Sequence, residues 1–235
     1  MSLTDVSTMP VLSWDQTMDL MDWRPGEHVT LIGPTGRGKT ELGLKLMERR
    51  RWGIFLATKR KDSTQDRLRG MGFRTIKRAV DLNPEVASRF LFKPPFPDKA
   101  TAAELKKSHR DAFQALLIRA RNQTGWTIDV DECRYLTQNL QLGDELELLW
   151  LQGRSEGTSI VANTQRPRFI PLEAYSQATH LFLWSNPDLS DVNRAAEFAS
   201  FDRELVIRTL QGLSKHDVMY VNTVTNEMCV TNTRK

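Results

Sequence analysis

Eight consecutive residues, Gly33, Pro34, Thr35, Gly36, Arg37, Gly38, Lys39 and Thr40, fit the spacing G-x-x-x-x-G-K-[ST] at every fixed position, the spacing with which a backbone wraps a polyphosphate. Glycine at 33, 36 and 38 permits backbone angles and a close approach that a Cβ would block. Lys39 is placed to reach β and γ phosphates, and the Thr40 hydroxyl is a ligand for Mg2+. ATP with Mg2+ is therefore the expected cofactor pair. Arg37, between the glycines, is expected to face solvent. A glycine-rich turn before an ordinary helix is the plain alternative. Against it stands the apolar run Val29-Thr30-Leu31-Ile32 ahead of the loop and a helix starting near Lys39, whose N-terminal dipole adds to the same anion site.

The stretch Trp126-Thr127-Ile128-Asp129-Val130-Asp131-Glu132 reads as an apolar strand ending in two adjacent acids, where a Walker B element belongs. Adjacent side chains at a strand end take different roles. Asp131 is expected in the Mg2+ shell near Thr40, and Glu132 as the base that orients and polarises the water attacking the γ phosphate. Asp129 shares a strand face with Asp131 and is its rival for the metal position. A third strand, Ser159-Ile160-Val161-Ala162-Asn163, ends in Thr164-Gln165-Arg166-Pro167. In P-loop ATPases with an extra strand between the P-loop and Walker B strands, such a tip faces the γ phosphate, so Gln165 is a candidate phosphate sensor. A solvated Gln-Arg-Pro turn is its plain alternative.

Upstream, Leu146 to Leu151 reads as a helix that stops at Gly153-Arg154, with Gly157 opening the next turn. Gly153-Arg154, the short Gly157 turn, the β-branched strand and Thr164-Gln165-Arg166-Pro167, combined with both Walker elements, resemble the FtsK/HerA superfamily of DNA-pumping ATPases, which includes viral genome-packaging ATPases. The resemblance covers roughly Glu27 to Trp184. It implies a sheet with an inserted strand, a hexameric or pentameric homo-oligomeric ring with nucleotide between subunits, and Gln165 as the polar sensor. Arg154 and Arg166 are candidates for the arginine that a neighbouring subunit inserts toward the γ phosphate, Arg154 first because it follows a helix at the sheet edge; either could instead be a salt-bridge partner. FtsK-like membrane segments, a DNA-reading winged helix and a HerA-like N-terminal barrel have no counterpart in the sequence. The expectation is a stripped motor core, with a motor-plus-nuclease terminase disfavoured.

These residues need a frame that brings several strand ends to one edge. The fold class expected is α/β, a P-loop NTPase of the RecA/ASCE-like kind: a three-layer α/β/α sandwich with a mainly parallel sheet. A C-terminal β-hairpin pairs Val218–Val221 with Met228–Val230 across Thr225-Asn226. Residues 1–26 read as an acidic, partly extended N-terminal extension, and 27–235 as a single ATPase motor domain. Between Thr101 and Arg121, apolar positions recur at helical spacing. Lys59 to Arg78 reads as a basic stretch broken by Gly70 and Gly72, with Phe73 to Ile76 a candidate short strand.

The net charge is +4, unevenly placed, with acids gathered before Glu27 and bases between Lys45 and Arg78. That asymmetry suits an acidic partner. For double-stranded DNA, nonspecific phosphate contacts suffice, and the suppliers expected are Lys59, Arg60, Lys61, Arg67, Arg69, Arg74, Lys106 and Lys107. A capsid or portal component is a possible further partner. The two cysteines, Cys133 and Cys229, form neither a disulfide framework nor a metal spacing. No signal-peptide pattern or membrane-length apolar run is present, so a soluble cytoplasmic protein is expected, in the host cytoplasm if viral. The function expected is an ATP-hydrolysing DNA translocase, with genome packaging foremost. A small-molecule or nucleotide kinase is the alternative, but leaves Glu132 without a task. A nonmotor module whose assembly is switched by nucleotide is another.

Overall fold

The computed structural model describes residues 9–166, 171–198 and 203–233. Among them nine strands form one sheet. In chain order the elements are α1 (Trp14–Met21), β1 (His28–Ile32), α2 (Lys39–Glu48), β2 (Gly53–Leu56), α3 (Ser63–Gly70), β3 (Arg74–Ile76), β4 (Arg89–Phe92), α4 (Ala102–Gln123), β5 (Thr127–Val130), α5 (Gly143–Glu156), β6 (Ser159–Thr164), α6 (Glu173–Ser176), β7 (Ala178–Leu183), α7 (Leu189–Phe198), α8 (Arg203–Gly212), β8 (Asp217–Asn222) and β9 (Met228–Asn232). The sheet order is β3-β4-β2-β5-β6-β1-β7-β8-β9. Strands β1 to β7 pair in parallel, and β8 and β9 close the far side as an antiparallel hairpin. The inserted strand expected between the P-loop and acidic strands is β6.

The central strands are buried on both faces, as parallel strands covered by helices must be. Alternation along β2 sends Ile54 and Leu56 into the core shared with α4 and α5, and Phe55 to the opposite core with Leu44 and Met47 of α2 and Leu68 of α3. Helices α4 to α8 thus cover one face, and α1 to α3 the other. Among the described residues, no helix is long and apolar enough to cross a membrane.

Two segments differ from the sequence expectation. The N-terminal extension contains α1, started by a capping box in which the Ser13 hydroxyl accepts from the Gln16 amide and the Gln16 side chain accepts from the Ser13 amide. Met18 and Met21 then pack on Val29, Leu31 and Phe182. The basic segment after β2 contains α3, because Asp62 caps it by accepting from the Thr64 amide and Leu68 anchors its apolar face. Arg67 and Arg69 are therefore helical residues, and Gly70 ends the helix. Gly72, at φ +85, follows the Met71 C-cap.

Candidate nucleotide site

The loop between β1 and α2 is shaped by close approach. A Cβ at Gly33 would lie 2.6 Å from the Trp184 Cβ, and Gly38, the N-cap of α2, sits at φ +105, in the left-handed region that glycine alone enters cheaply. Lys39 and Thr40 thereby open α2 with their side chains at the C-terminal edge of the sheet. The Lys39 ammonium donates to the carbonyl oxygens of Gly33 and of Pro34, the latter at 2.9 Å. Neutral carbonyls do not match its charge, and burial pulls its pKa down to about 8.

From the other side of β6, strand β5 delivers its acids to the same place. The Thr40 hydroxyl donates to Asp131 Oδ1 at 3.2 Å. Burial raises the Asp131 carboxyl above its ordinary range, against the pull of Lys59. Glu132 is raised first by burial and then by the adjacent Asp131. Gln165, at the tip of β6, is exposed and faces the same cleft. Thr35, Gly36, Gly38, Lys39, Thr40, Asp131, Glu132 and Gln165 all line this cleft of about 530 Å³. Gly33 is buried beneath it, while Pro34 and Arg37 lie outside its lining.

Asp129 and Asp131 are sorted by depth. Asp129 is buried under α2, where its Oδ1 accepts from the Asn163 amide at 3.1 Å and its Oδ2 lies 2.9 Å from where a Cβ on Gly43 would stand. Burial first, then the Asp131 charge, raises its pKa well above the ordinary value. It is outside the cleft lining. Thr40 at the start of α2 and Asp131 just after β5 thus bring two hard oxygen donors together beside the loop, a donor set of the kind that could hold Mg2+.

The arginines separate. Arg166 Nη1 pairs with Asp188 at 3.4 Å, at the pocket-bearing edge; Pro167 lies outside the described residues. Arg154 is exposed near the end of α5, just before β6 begins, and so stands at the N-terminal edge of the parallel strands. Gln165 at the other end of β6 marks the pocket edge, so Arg154 stands away from the cleft of its own chain.

Several expected DNA contacts are otherwise engaged. Lys59 lines the nucleotide cleft, its ammonium 3.2 Å from Asp62 and 3.9 Å from Asp131. Burial works against that charge, but the two carboxylates outweigh it and hold the pKa above the usual lysine value. Arg60 pairs with Asp98 at 2.6 Å, Arg67 with Glu41 at 2.6 Å, and Arg69 with Asp66. Among the described residues, Lys61, Arg74, Lys106 and Lys107 form no ion pair.

Sequence reasoning missed four other lining residues: Glu41 and Lys45 on α2, and His216 and Thr233 at the open end of the β8–β9 hairpin. The first two lie within a helix whose outer face carries no motif. The hairpin residues reach the loop only through strand pairing far along the chain.

No protein-family model matches the chain, and no curated protein does. Solved structures match its fold. The genome packaging NTPase B204 from Sulfolobus turreted icosahedral virus 2, in complex with sulfate, superposes with a TM-score of 0.64 at 13% identity over 88% of this chain and 96% of that one. The same NTPase in complex with AMPPCP gives 0.59 at 13% identity, covering 88% and 98%. VirB4 of Thermoanaerobacter pseudethanolicus gives 0.61 at 11%, covering 86% and 88%. The fold of this chain is therefore the one seen in these solved structures.

Proposed function

We propose that the chain is an ATP-hydrolysing translocase of double-stranded DNA, working as a homo-oligomeric ring in viral genome packaging. One observation carries the reading: the P-loop lysine and threonine, the two adjacent acids and the glutamine at the tip of the inserted strand converge on a single cleft. Likeness in fold to a genome packaging NTPase supports the choice of cargo.

Thr40 and Asp131 would hold Mg2+, which would supply neutralising positive charge at the phosphates. Lys39 meets the β and γ phosphates from the loop, where a phosphate compensates its buried ammonium better than the Gly33 and Pro34 carbonyls do. Glu132 accepts the proton of the attacking water, and the burial that raises its pKa makes it a stronger base. Gln165 orients that water or senses the terminal phosphate. Arg166, or Arg154 from a neighbouring copy, completes the charge around the transferring group. DNA phosphates are gripped by Lys61, Arg74, Lys106 and Lys107, the expected contacts left without carboxylate partners among the described residues.

The test is phosphate release measured with and without duplex DNA across a salt series. Turnover should rise with DNA, and the stimulation should fade between about 50 and 200 mM salt as counterion release loses its driving force. Absence of ATP hydrolysis would sink the enzyme reading. Hydrolysis indifferent to DNA would sink the translocase reading alone.

A further inference from the structure

The phosphate-facing groups lie on one side of β1. Asp131 and Glu132 follow β5 and Gln165 follows β6, and both strands stand on the β6 side of β1 in the sheet. A nucleoside triphosphate whose last phosphate meets those groups must send its other end toward β7, β8 and β9. Strand β8 runs antiparallel to β7, and β9 runs back again. His216, just before β8, and Thr233, just after β9, therefore stand together at the edge that carries the P-loop.

Contacts brace that end of the hairpin against the loop. The Thr233 hydroxyl oxygen lies 2.9 Å from where a Cβ on Gly38 would be. The Thr233 amide donates to the His216 carbonyl at 3.1 Å, and Lys45 of α2 donates to the Thr233 carbonyl at 2.9 Å. Within this frame the His216 ring differs from the other three of the chain's four histidines. His28, His109 and His180 each engage both ring nitrogens, with Trp150 and Ile160, Pro95 and Tyr135, and Glu27 and Tyr220 respectively. His216 Nδ1 has no partner although it is shut off from solvent, and the half-buried ring lines the cleft. Buried polar atoms are ordinarily hydrogen-bonded, so an unmet nitrogen on a cleft-lining ring is one that a ligand can complete.

We propose that His216 and Thr233 receive the nucleoside half of the nucleotide bound in the same subunit. The imidazole offers the base a flat ring to stack on, and the Thr233 hydroxyl, which donates to the His216 carbonyl at 3.3 Å, keeps its acceptor side for the nucleoside. This rests on the nucleotide reading above and extends it from the phosphates to the base.

Calorimetric titration of the full chain in Mg2+ with ATPγS, ADP and inorganic tripolyphosphate separates the two halves. The wild-type chain should bind ATPγS more tightly than tripolyphosphate. His216→Ala should lose about tenfold in affinity for ATPγS and ADP, the loss of one stacking partner, while tripolyphosphate binding stays unchanged and reports an intact P-loop. Thr233→Val, nearly the same shape, should lose a smaller factor for the two nucleotides only, and it carries the test if His216→Ala fails to fold. Nucleotide affinities unchanged in the variants, or an equal loss for tripolyphosphate, would overturn the proposal. A wild-type chain that binds neither nucleotide nor tripolyphosphate would instead overturn the nucleotide reading on which it stands.

Discussion

At the N-terminal edge of the sheet the histidines are fully partnered, though Glu156 Oε2 and Thr158 Oγ1 there are not, whereas at the C-terminal edge charged groups are left under-compensated. At the N-terminal edge, His28 bridges the Trp150 carbonyl and the Ile160 amide, each at 3.0 Å. Nearby His180 joins Glu27 to Tyr220, and the Gly26 amide donates to the Ser159 hydroxyl at 3.0 Å. These groups are saturated, and they tie β1, α5, β6, β7 and β8 together. At the C-terminal edge the Lys39 ammonium rests on neutral carbonyls. Asp131 and Glu132 are buried enough to resist ionisation, and His216 Nδ1 has no partner. Saturated polar groups hold a fold together; groups kept buried and under-compensated are poised for a ligand that completes them.

Arg154 is the residue most able to break this contrast, because it sits on the N-terminal edge. If it serves the pocket of a neighbouring copy, Arg154→Ala should lower turnover by about 10³- to 10⁵-fold. Mixing Arg154→Ala with Glu132→Gln subunits should then restore part of the activity, since each supplies what the other lacks. If turnover falls only in Arg166→Ala, the finger belongs to the pocket edge and the N-terminal edge is architectural throughout. The next effect sharpens the contrast from the pocket side. Glu132→Gln should slow hydrolysis by about 10²- to 10⁴-fold while retaining bound ATP, measured as phosphate release against nucleotide binding. Hydrolysis at the parental rate would remove Glu132 as the base.

A smaller effect is expected at the N-terminal edge, and on stability. His28→Leu strands the Trp150 carbonyl and the Ile160 amide in the core, at a cost of about 1–3 kcal/mol for each buried group. A Tm lower by about 2–4 °C per kcal/mol should follow for a chain of this size, with turnover per folded molecule retained below the transition. The same variant changes the acid limb. Burial holds the His28 pKa down to about 4 from 6.5, so between those values the unfolded chain binds the extra proton, and stability is lost as pH falls through the window. His109 and His180 are lowered, first by burial, and act in the same direction. The pocket carboxylates act oppositely: with raised folded pKa values, their contribution is full below the unfolded value and is lost as pH rises through the folded one. Thermal unfolding across pH should therefore show a shallower loss toward acid in His28→Leu. An unchanged slope would mean that His28 titrates normally in the fold.

Much of this was readable along the chain because it is a local demand on the backbone. A strand feeding a glycine loop and then Lys39-Thr40 needs those residue types at those neighbouring positions, and the short apolar runs that became β1, β2, β4 and β5 needed only burial on both faces. Helix α3 was obscured because Gly70 and Gly72 read as breakers, while its start depends on the Asp62 cap and its stability on Leu68 reaching a core shared with Phe55 and Leu91. The basic count around it was visible, but the carboxylates that neutralise Arg60, Arg67 and Arg69 were not, since Asp98 and Glu41 come from other elements.

By itself, then, the sequence determined the presence of a phosphate loop, the acids that follow a buried strand and the parallel α/β class, all of which are written in neighbouring residues. Strand-end position favoured Asp131 over Asp129, but only tertiary structure supplied the separation in depth, because α2 crosses β5 at Gly43 and seals Asp129 beneath it. It also decided that Arg154 stands at the edge away from its own P-loop and that His216 and Thr233 stand beside Gly38. Those placements follow from strand order and strand direction, set by packing and pairing between segments distant in the chain, and no local pattern encodes them.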